Sequence, residues 1–167
     1  LQAPEGRHPL VAELELVRIA VRNLERPRSI ELPASLLTNN PQAVVDDPSV
    51  QVVVEVMGGN EPARTLIMRA IAAGKAVVTA NKAVIARHGE EIASAAAAAG
   101  VYVLIEAAVG GGIPIIEPLK QSLGGNRIER VSGIINGTTN YILSRMAQEG
   151  VAYDDVLKTA QDLGYAE

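Results

Sequence analysis

The chain has 167 residues, with 15 Lys plus Arg against 19 Asp plus Glu, no Cys and a formal charge of −4. The length suits one ordinary domain, or one domain and part of another, and 48% hydrophobic residues with 20% charged residues suit a packed core rather than disorder. Mild acidity leaves no electrostatic footprint for nucleic acid or an anionic membrane, and the lack of Cys excludes a disulfide framework, a zinc knuckle and a thiol nucleophile while fitting a reducing compartment such as the cytoplasm.

Glu13 to Val21 begins with alternation and reads as a strand, with Val17, Ile19 and Val21 on one face. Leu36-Leu37-Thr38 is a short strand closed by Asn39-Asn40-Pro41, and Pro41 to Val45 is a brief helix stopped by Asp46-Asp47-Pro48. Val52 to Val56 (VVVEV) is nearly all β-branched, the pattern of a central parallel strand covered on both faces. Gly58-Gly59 follows, then a helix that Asn60 caps, that Pro62 opens and that Gly74 ends, with Leu66, Ile67, Ala70 and Ile71 as its apolar stripe. Ala76 to Thr79 is a short strand, Lys82 to Ala99 one or two helical segments, and Val101 to Ile105 a further buried strand. The stretch Ile92 to Ile105 falls short of the roughly 20 apolar residues that span a bilayer.

This alternation predicts an α/β fold, a Rossmann-like open parallel sheet with right-handed crossovers. After Gly112 the pattern changes: a helix at Pro114 to Leu123 that Pro118 delays or kinks, a loose strand at Arg127 to Ile135, a polar turn at Asn136 to Asn140, and helices to about Glu149 and from Tyr153 to Leu163. We place residues 1–108 in a partial dinucleotide-binding domain and 109–167 at the start of an α+β substrate and dimerisation domain, both incomplete. The absence of an initiator Met before Leu1, and the abrupt stop at Gly164-Tyr165-Ala166-Glu167, lead us to expect a fragment.

In open parallel sheets ligands lie beyond the carboxyl ends of the strands, which singles out the residues just after each one. Lys82 opens a helix, where the positive end of the macrodipole disfavours a cation; this suits a lysine that meets an anion or exchanges protons, although a solvated surface lysine has equal weight. Thr79 and Asn81 flank it. Gly58-Gly59 lets a ligand approach the backbone, or is simply a tight turn. Gly110-Gly111-Gly112 can turn carbonyls toward a cation, or serve as a hinge. Arg22 stands where arginine accommodates the 2′-phosphate of NADP, with Arg26 and Arg28 as helpers or as plain surface charges. Asn136 to Asn140 offers a cradle for a carboxylate or hydroxyl, or only a helix cap. No G-x-G-x-x-G, G-x-S-x-G, H-E-x-x-H or P-loop occurs.

The strings VVVEVMGG (52–59), GKAVVTANKA (74–83), EAAVGGGIPII (106–116), GIINGTTNYIL (133–143) and LGYAE (163–167) resemble homoserine dehydrogenase, as do AVRNLERPR (20–28) and VVDDP (44–48). The resemblance covers nearly the whole chain in order. It implies reduction of aspartate 4-semialdehyde to homoserine with NADPH, or with NADH, on the route to threonine, methionine and isoleucine, by a homodimer. It also implies roles for single residues. Lys82 matches the lysine at the cofactor–substrate junction, and Thr138, Tyr165 and Glu167 match the substrate pocket. Glu106, Val109, Gly111 and Ile113 match a monovalent-cation site, commonly for Na+, and Arg22 matches the position tied to NADP preference. The glycine-rich first turn and a second lysine of the family would lie outside Leu1–Glu167, so the isolated chain is expected to have little activity. Another Rossmann oxidoreductase, or a non-catalytic dimerising or regulatory module, is the alternative.

Overall fold

The computed structural model describes residues 13–166, and the chain separates between Val109 and Gly110 into two units, each with its own core. In the first unit β1 (Ile19–Ala20) pairs in parallel with β2 (Leu37–Thr38), while β3 (Val52–Glu55), β4 (Ala76–Thr79) and β5 (Val103–Leu104) form a second parallel sheet in that order. The connecting helices are α1 (Pro41–Asp46), α2 (Ala63–Ala72) and α3 (Lys82–Ala99).

Each helix has a local cause. Asn40 caps α1 by accepting from Gln42 N (3.0 Å) and Ala43 N (3.3 Å), with Pro41 in the first turn, where its missing N–H costs nothing. The apolar stripe of α2 is buried at Leu66, Ile67, Ala70 and Ile71, and the helix ends at left-handed Gly74 (φ 72°), where Lys75 N turns back to Ala70 O (3.0 Å). α3 runs unbroken through Gly89 to Gly100 (φ 66°), because its first turn is capped by Asn81 and nothing interrupts its Ala-rich interior. The core joins Val53 and Val77 of the sheet to α2 and to Val84, Ile92 and Ala96 of α3. Full burial of each large aliphatic side chain contributes about 1.5–3 kcal/mol.

Three strand expectations in the first unit need correction. Of the segment 13–21 only Ile19 and Ala20 pair, and Leu14 is exposed. VVVEV is covered on one face only: Val53 and Glu55 are buried, whereas Val52, Val54 and Val56 are exposed. Successive right-handed crossovers that advance in one direction place α2 and α3 on the same side of β3-β4-β5, so among the described residues the opposite face stays open. Around β5 the burial is likewise partial, with Tyr102 and Leu104 exposed.

In the second unit α4 (Gly137–Glu149) packs on α5 (Tyr153–Asp162) through Ile142, Val156 and Ala160, with Tyr141, Met146 and Leu157 around them. The helix expected from Pro114 starts late, and Pro118–Ser122 forms a wide π turn in which Leu123 N reaches Pro118 O (2.9 Å). It ends at Gly124, where a Cβ would lie 2.5 Å from Lys120 O, so only glycine fits. Residues 127–135 are exposed and unpaired, contrary to the expected strand, and no strand occurs among the described residues of this unit. Alternation marks a chain fit for a sheet, but pairing requires a neighbouring edge.

Candidate functional site

Three of the four buried polar side chains among the described residues, Glu55, Thr79 and Asn81, lie at the carboxyl ends of β3 and β4. Glu55 and Thr79 are register partners on adjacent strands, and both are buried, at 4% and 0% exposure. Thr79 Oγ1 donates to Glu55 Oε2 (2.7 Å) and accepts from Asn81 N (3.0 Å). Glu55 Oε1 accepts from Met57 N (2.7 Å) and, more distantly, from Asn81 Nδ2 (3.4 Å). Asn81, itself buried, also donates to Gly59 O (2.8 Å), while its Oδ1 accepts from Val84 N (3.2 Å) and caps α3.

These bonds join two turns. One is Met57-Gly58-Gly59-Asn60, whose glycines both adopt the left-handed region (φ 76° and 72°). A Cβ at either glycine would meet nothing within 4 Å, so the freedom is used for the turn and leaves open space over the backbone. The other is Ala80-Asn81-Lys82 at the head of α3. Asn60 binds them a second time: in the orientation that satisfies both neighbours, its amide donates to Ala83 O (3.2 Å) and accepts from Arg87 Nη1 (2.7 Å). It therefore does not cap α2 through its side chain, as its position suggested. Glu61 takes that place, accepting from Thr65 N (3.3 Å) and Thr65 Oγ1 (2.8 Å), and Thr65 together with Arg64 holds its carboxyl below the usual range.

Lys82 is exposed and makes no ion pair among the described residues. The residues flanking it are fastened, Asn81 by its side chain and Ala83 by its carbonyl. Thr79 and Asn81 are committed to internal hydrogen bonds, so a ligand reaching this corner meets the Gly58-Gly59 backbone and the Lys82 side chain.

At the end of β1 an open basin of about 750 Å³ is lined by Val21, Arg22, Arg26, Arg28, Ile30 and Leu32. The three arginines differ. Arg28 turns inward: Nη2 donates to Asn23 O (2.7 Å), and Nη1 donates to Leu24 O (3.1 Å) and Arg26 O (2.9 Å). One guanidinium thus gathers three carbonyls and shapes the loop, while Arg22 and Arg26 are exposed beside the basin.

In the second unit Asn136 caps α4 through Thr139 N (2.8 Å), and Thr138 Oγ1 donates to Tyr165 O, which joins residues 27 apart. The Tyr165 ring meets Tyr141 edge to face, with centroids 5.3 Å apart. Thr138 and Tyr165 are therefore brought together, whereas Glu167 lies outside the described residues. Glu106 opens a short 3-10 turn that closes with Val109 N on Glu106 O (3.1 Å). Gly110 and Gly111 follow in the left-handed region (φ 74° and 62°), and Ile113 N returns to Gly110 O (3.2 Å). No group of three or more His, Cys, Asp or Glu side chains able to hold a metal occurs among the described residues.

The sequence reading passed over Glu55 and the inward role of Arg28. A signal existed for Glu55, the single acid inside an otherwise apolar run of strand length. None existed for Arg28, whose partners are carbonyls that only the loop's path brings together.

Comparison with known proteins gives a consistent result. Residues 1–106 match the family model described as homoserine dehydrogenase, NAD binding domain, and residues 114–167 match the one described as homoserine dehydrogenase. The chain is 62% identical to the homoserine dehydrogenase of a Synechocystis strain, over 100% of this chain and 39% of that protein. Its fold is similar to a homoserine dehydrogenase from Thiobacillus denitrificans, with a TM-score of 0.82 and 60% identity over 90% of this chain and 35% of the other. A hyperthermophilic archaeal homoserine dehydrogenase solved in complex with NADPH is similar at a TM-score of 0.69 and 33% identity, over 77% of this chain and 40% of that one. The chain thus spans well under half the length of these relatives.

Proposed function

The chain belongs to the homoserine dehydrogenase family, and from that premise we propose that it serves the reduction of aspartate 4-semialdehyde to homoserine by a pyridine nucleotide, NADPH in preference to NADH. The observation that carries the reading is the pair of interlocked turns beyond β3 and β4, which present an open glycine backbone next to an exposed lysine. The nucleotide suits these residues. Arg22 and Arg26 offer two exposed guanidiniums to the 2′-phosphate, and Gly58-Gly59 admits close approach of the backbone.

When bound, the nicotinamide supplies the hydride. The chain's own residues bind, orient and stabilise charge. As the aldehyde is reduced, negative charge grows on its oxygen, and the Lys82 ammonium stabilises that charge or delivers a proton. Thr138, Tyr165 and Glu167 hold the substrate, the carboxylate of Glu167 taking its amino group. Glu106, with the carbonyls of Val109, Gly111 and Ile113, supplies hard oxygen donors of the kind that a monovalent cation such as Na+ takes. In this reading the enzyme is a cytoplasmic homodimer serving threonine, methionine and isoleucine synthesis. Among the described residues no helix is long and apolar enough to cross a membrane.

The test is titration of the chain with NADPH and NADH, followed by nicotinamide fluorescence. NADPH binding should saturate at lower concentration than NADH. Arg22→Ala should weaken NADPH by about tenfold, the worth of one charge-assisted contact, and leave NADH unchanged. Equal affinities in both proteins would refute the cofactor assignment.

A further inference from the structure

Glu55 has no part in the reading above, yet it is a buried acid in a run that is otherwise apolar. It interrupts the run VVVEV, is 4% exposed, and its hydrogen-bond partners are all neutral donors. Burying a carboxylate without a countercharge is costly, and a valine there would complete the strand pattern. Stability alone therefore does not explain it. Geometry does: the two carboxylate oxygens face different elements, Oε1 the backbone of the glycine turn at Met57 N and Oε2 the end of β4 at Thr79. Thr79 passes the constraint to Asn81 N, and Asn81 returns it to Gly59 O. The circuit starts on Glu55, returns to it through Met57 N, and holds Asn81, the residue that Lys82 follows.

We infer that Glu55 is a positioning residue, a buried carboxylate that locks the Gly58-Gly59 turn to the head of α3 and so sets where the Lys82 ammonium stands relative to the nicotinamide end of the cofactor. The inference rests on the proposed role of Lys82. Two left-handed glycines with open space around them form a soft turn, and a lysine at a helix start inherits any motion of its first turn. Glu55 removes both freedoms at once.

The test uses the chain with Glu55→Gln and, as a variant that keeps shape and leaves the carboxylate in place, Thr79→Val. Whichever way the glutamine amide sits, it removes an acceptor that the circuit uses. Amide hydrogen exchange should rise at least tenfold at Met57 and at Val84 together, while the amides of Ala96 and Ala160 keep their protection. The affinity for NADPH should fall about tenfold, and that for adenosine 2′,5′-bisphosphate, which has no nicotinamide, should not change. Thr79→Val should give the same coupled pattern, smaller in size. A rise confined to Met57, no rise, or loss of protection across the first unit in both variants would overturn the inference. Failure of the unaltered chain to bind NADPH would count against the proposed function, while the exchange pattern would still decide the role of Glu55.

Discussion

Replacement of Asn81 by Asp separates what the local sequence favours from what the surroundings allow. As a helix N-cap, aspartate ranks beside asparagine and complements the macrodipole better, so helix propensity alone predicts no loss. The surroundings reverse this. Asn81 Nδ2 donates to Gly59 O at 2.8 Å and faces Glu55 Oε1 at 3.4 Å. A carboxylate has no donor for the first and repels the second. Two unit charges 3.4 Å apart, at an effective dielectric of about 20, repel by about 5 kcal/mol. Loss of the bond to Gly59 O adds about 1 kcal/mol. Asn81→Ala loses the cap and the same bond, about 2 kcal/mol together, without repulsion.

Asn81→Asp should therefore be more destabilising than Asn81→Ala at pH 8. It should also recover with acid. Repulsion raises the proton affinity of the introduced aspartate above its value in the unfolded chain, so the folded variant holds more protons, and stability falls as pH rises through the window above the ordinary aspartate value. The slope is about 1.4 kcal/mol per pH unit where one proton is involved. Urea unfolding monitored by far-ultraviolet circular dichroism from pH 4.5 to 8 measures both effects. A variant as stable as the unaltered chain, or one milder than Asn81→Ala at pH 8 with no pH dependence, would refute the network as described.

Two further outcomes follow from the first unit. Ile67 is 1% exposed at the centre of the core, and truncation to alanine should cost 2–5 kcal/mol, read as a lower urea midpoint with no change in slope. Glu91 accepts from Arg64 Nε (2.8 Å), and this hydrogen bond between α2 and α3 is the main cause that holds its carboxyl below the usual 4.5. Because the folded value is depressed, the pair's stabilisation is present above about pH 4.5 and is lost as pH falls through the lower folded value. The stability difference between the unaltered chain and Glu91→Gln should thus be measurable at neutral pH and vanish in acid; a constant difference would refute the assignment.

Much of the fold was readable along the chain because its causes are local. Asn40-Pro41, Gly74, Asn81, Gly100 and Gly150 mark helix ends through bonds made within a few residues, and those boundaries hold in the structure, whereas α4 starts at Gly137, inside the stretch from Asn136 to Asn140 that reads as a polar turn. Two of the strings that carry the family resemblance, VVVEVMGG and GKAVVTANKA, run from a strand into the turn that follows it, where side-chain choice answers to chemistry rather than packing. The candidate roles of Lys82, Gly58 and Gly59 came from the same source.

Tertiary structure decided what depends on neighbours. The run VVVEV is the same whether one or two layers cover it, and only the placement of α2 and α3 leaves Val52 and Val54 bare. Residues 127–135 alternate as a strand does, yet a ladder needs an edge that the segment cannot supply for itself. Asn60 stands where a cap belongs and serves α3 instead, because a carbonyl and a guanidinium from that helix lie within its reach. Glu55 and Thr79 are 24 residues apart, and nothing in either string says that parallel pairing will place them side by side. Sequence determines the bonds a residue can make with its own turn; which distant donor satisfies a buried acid is set by strand register.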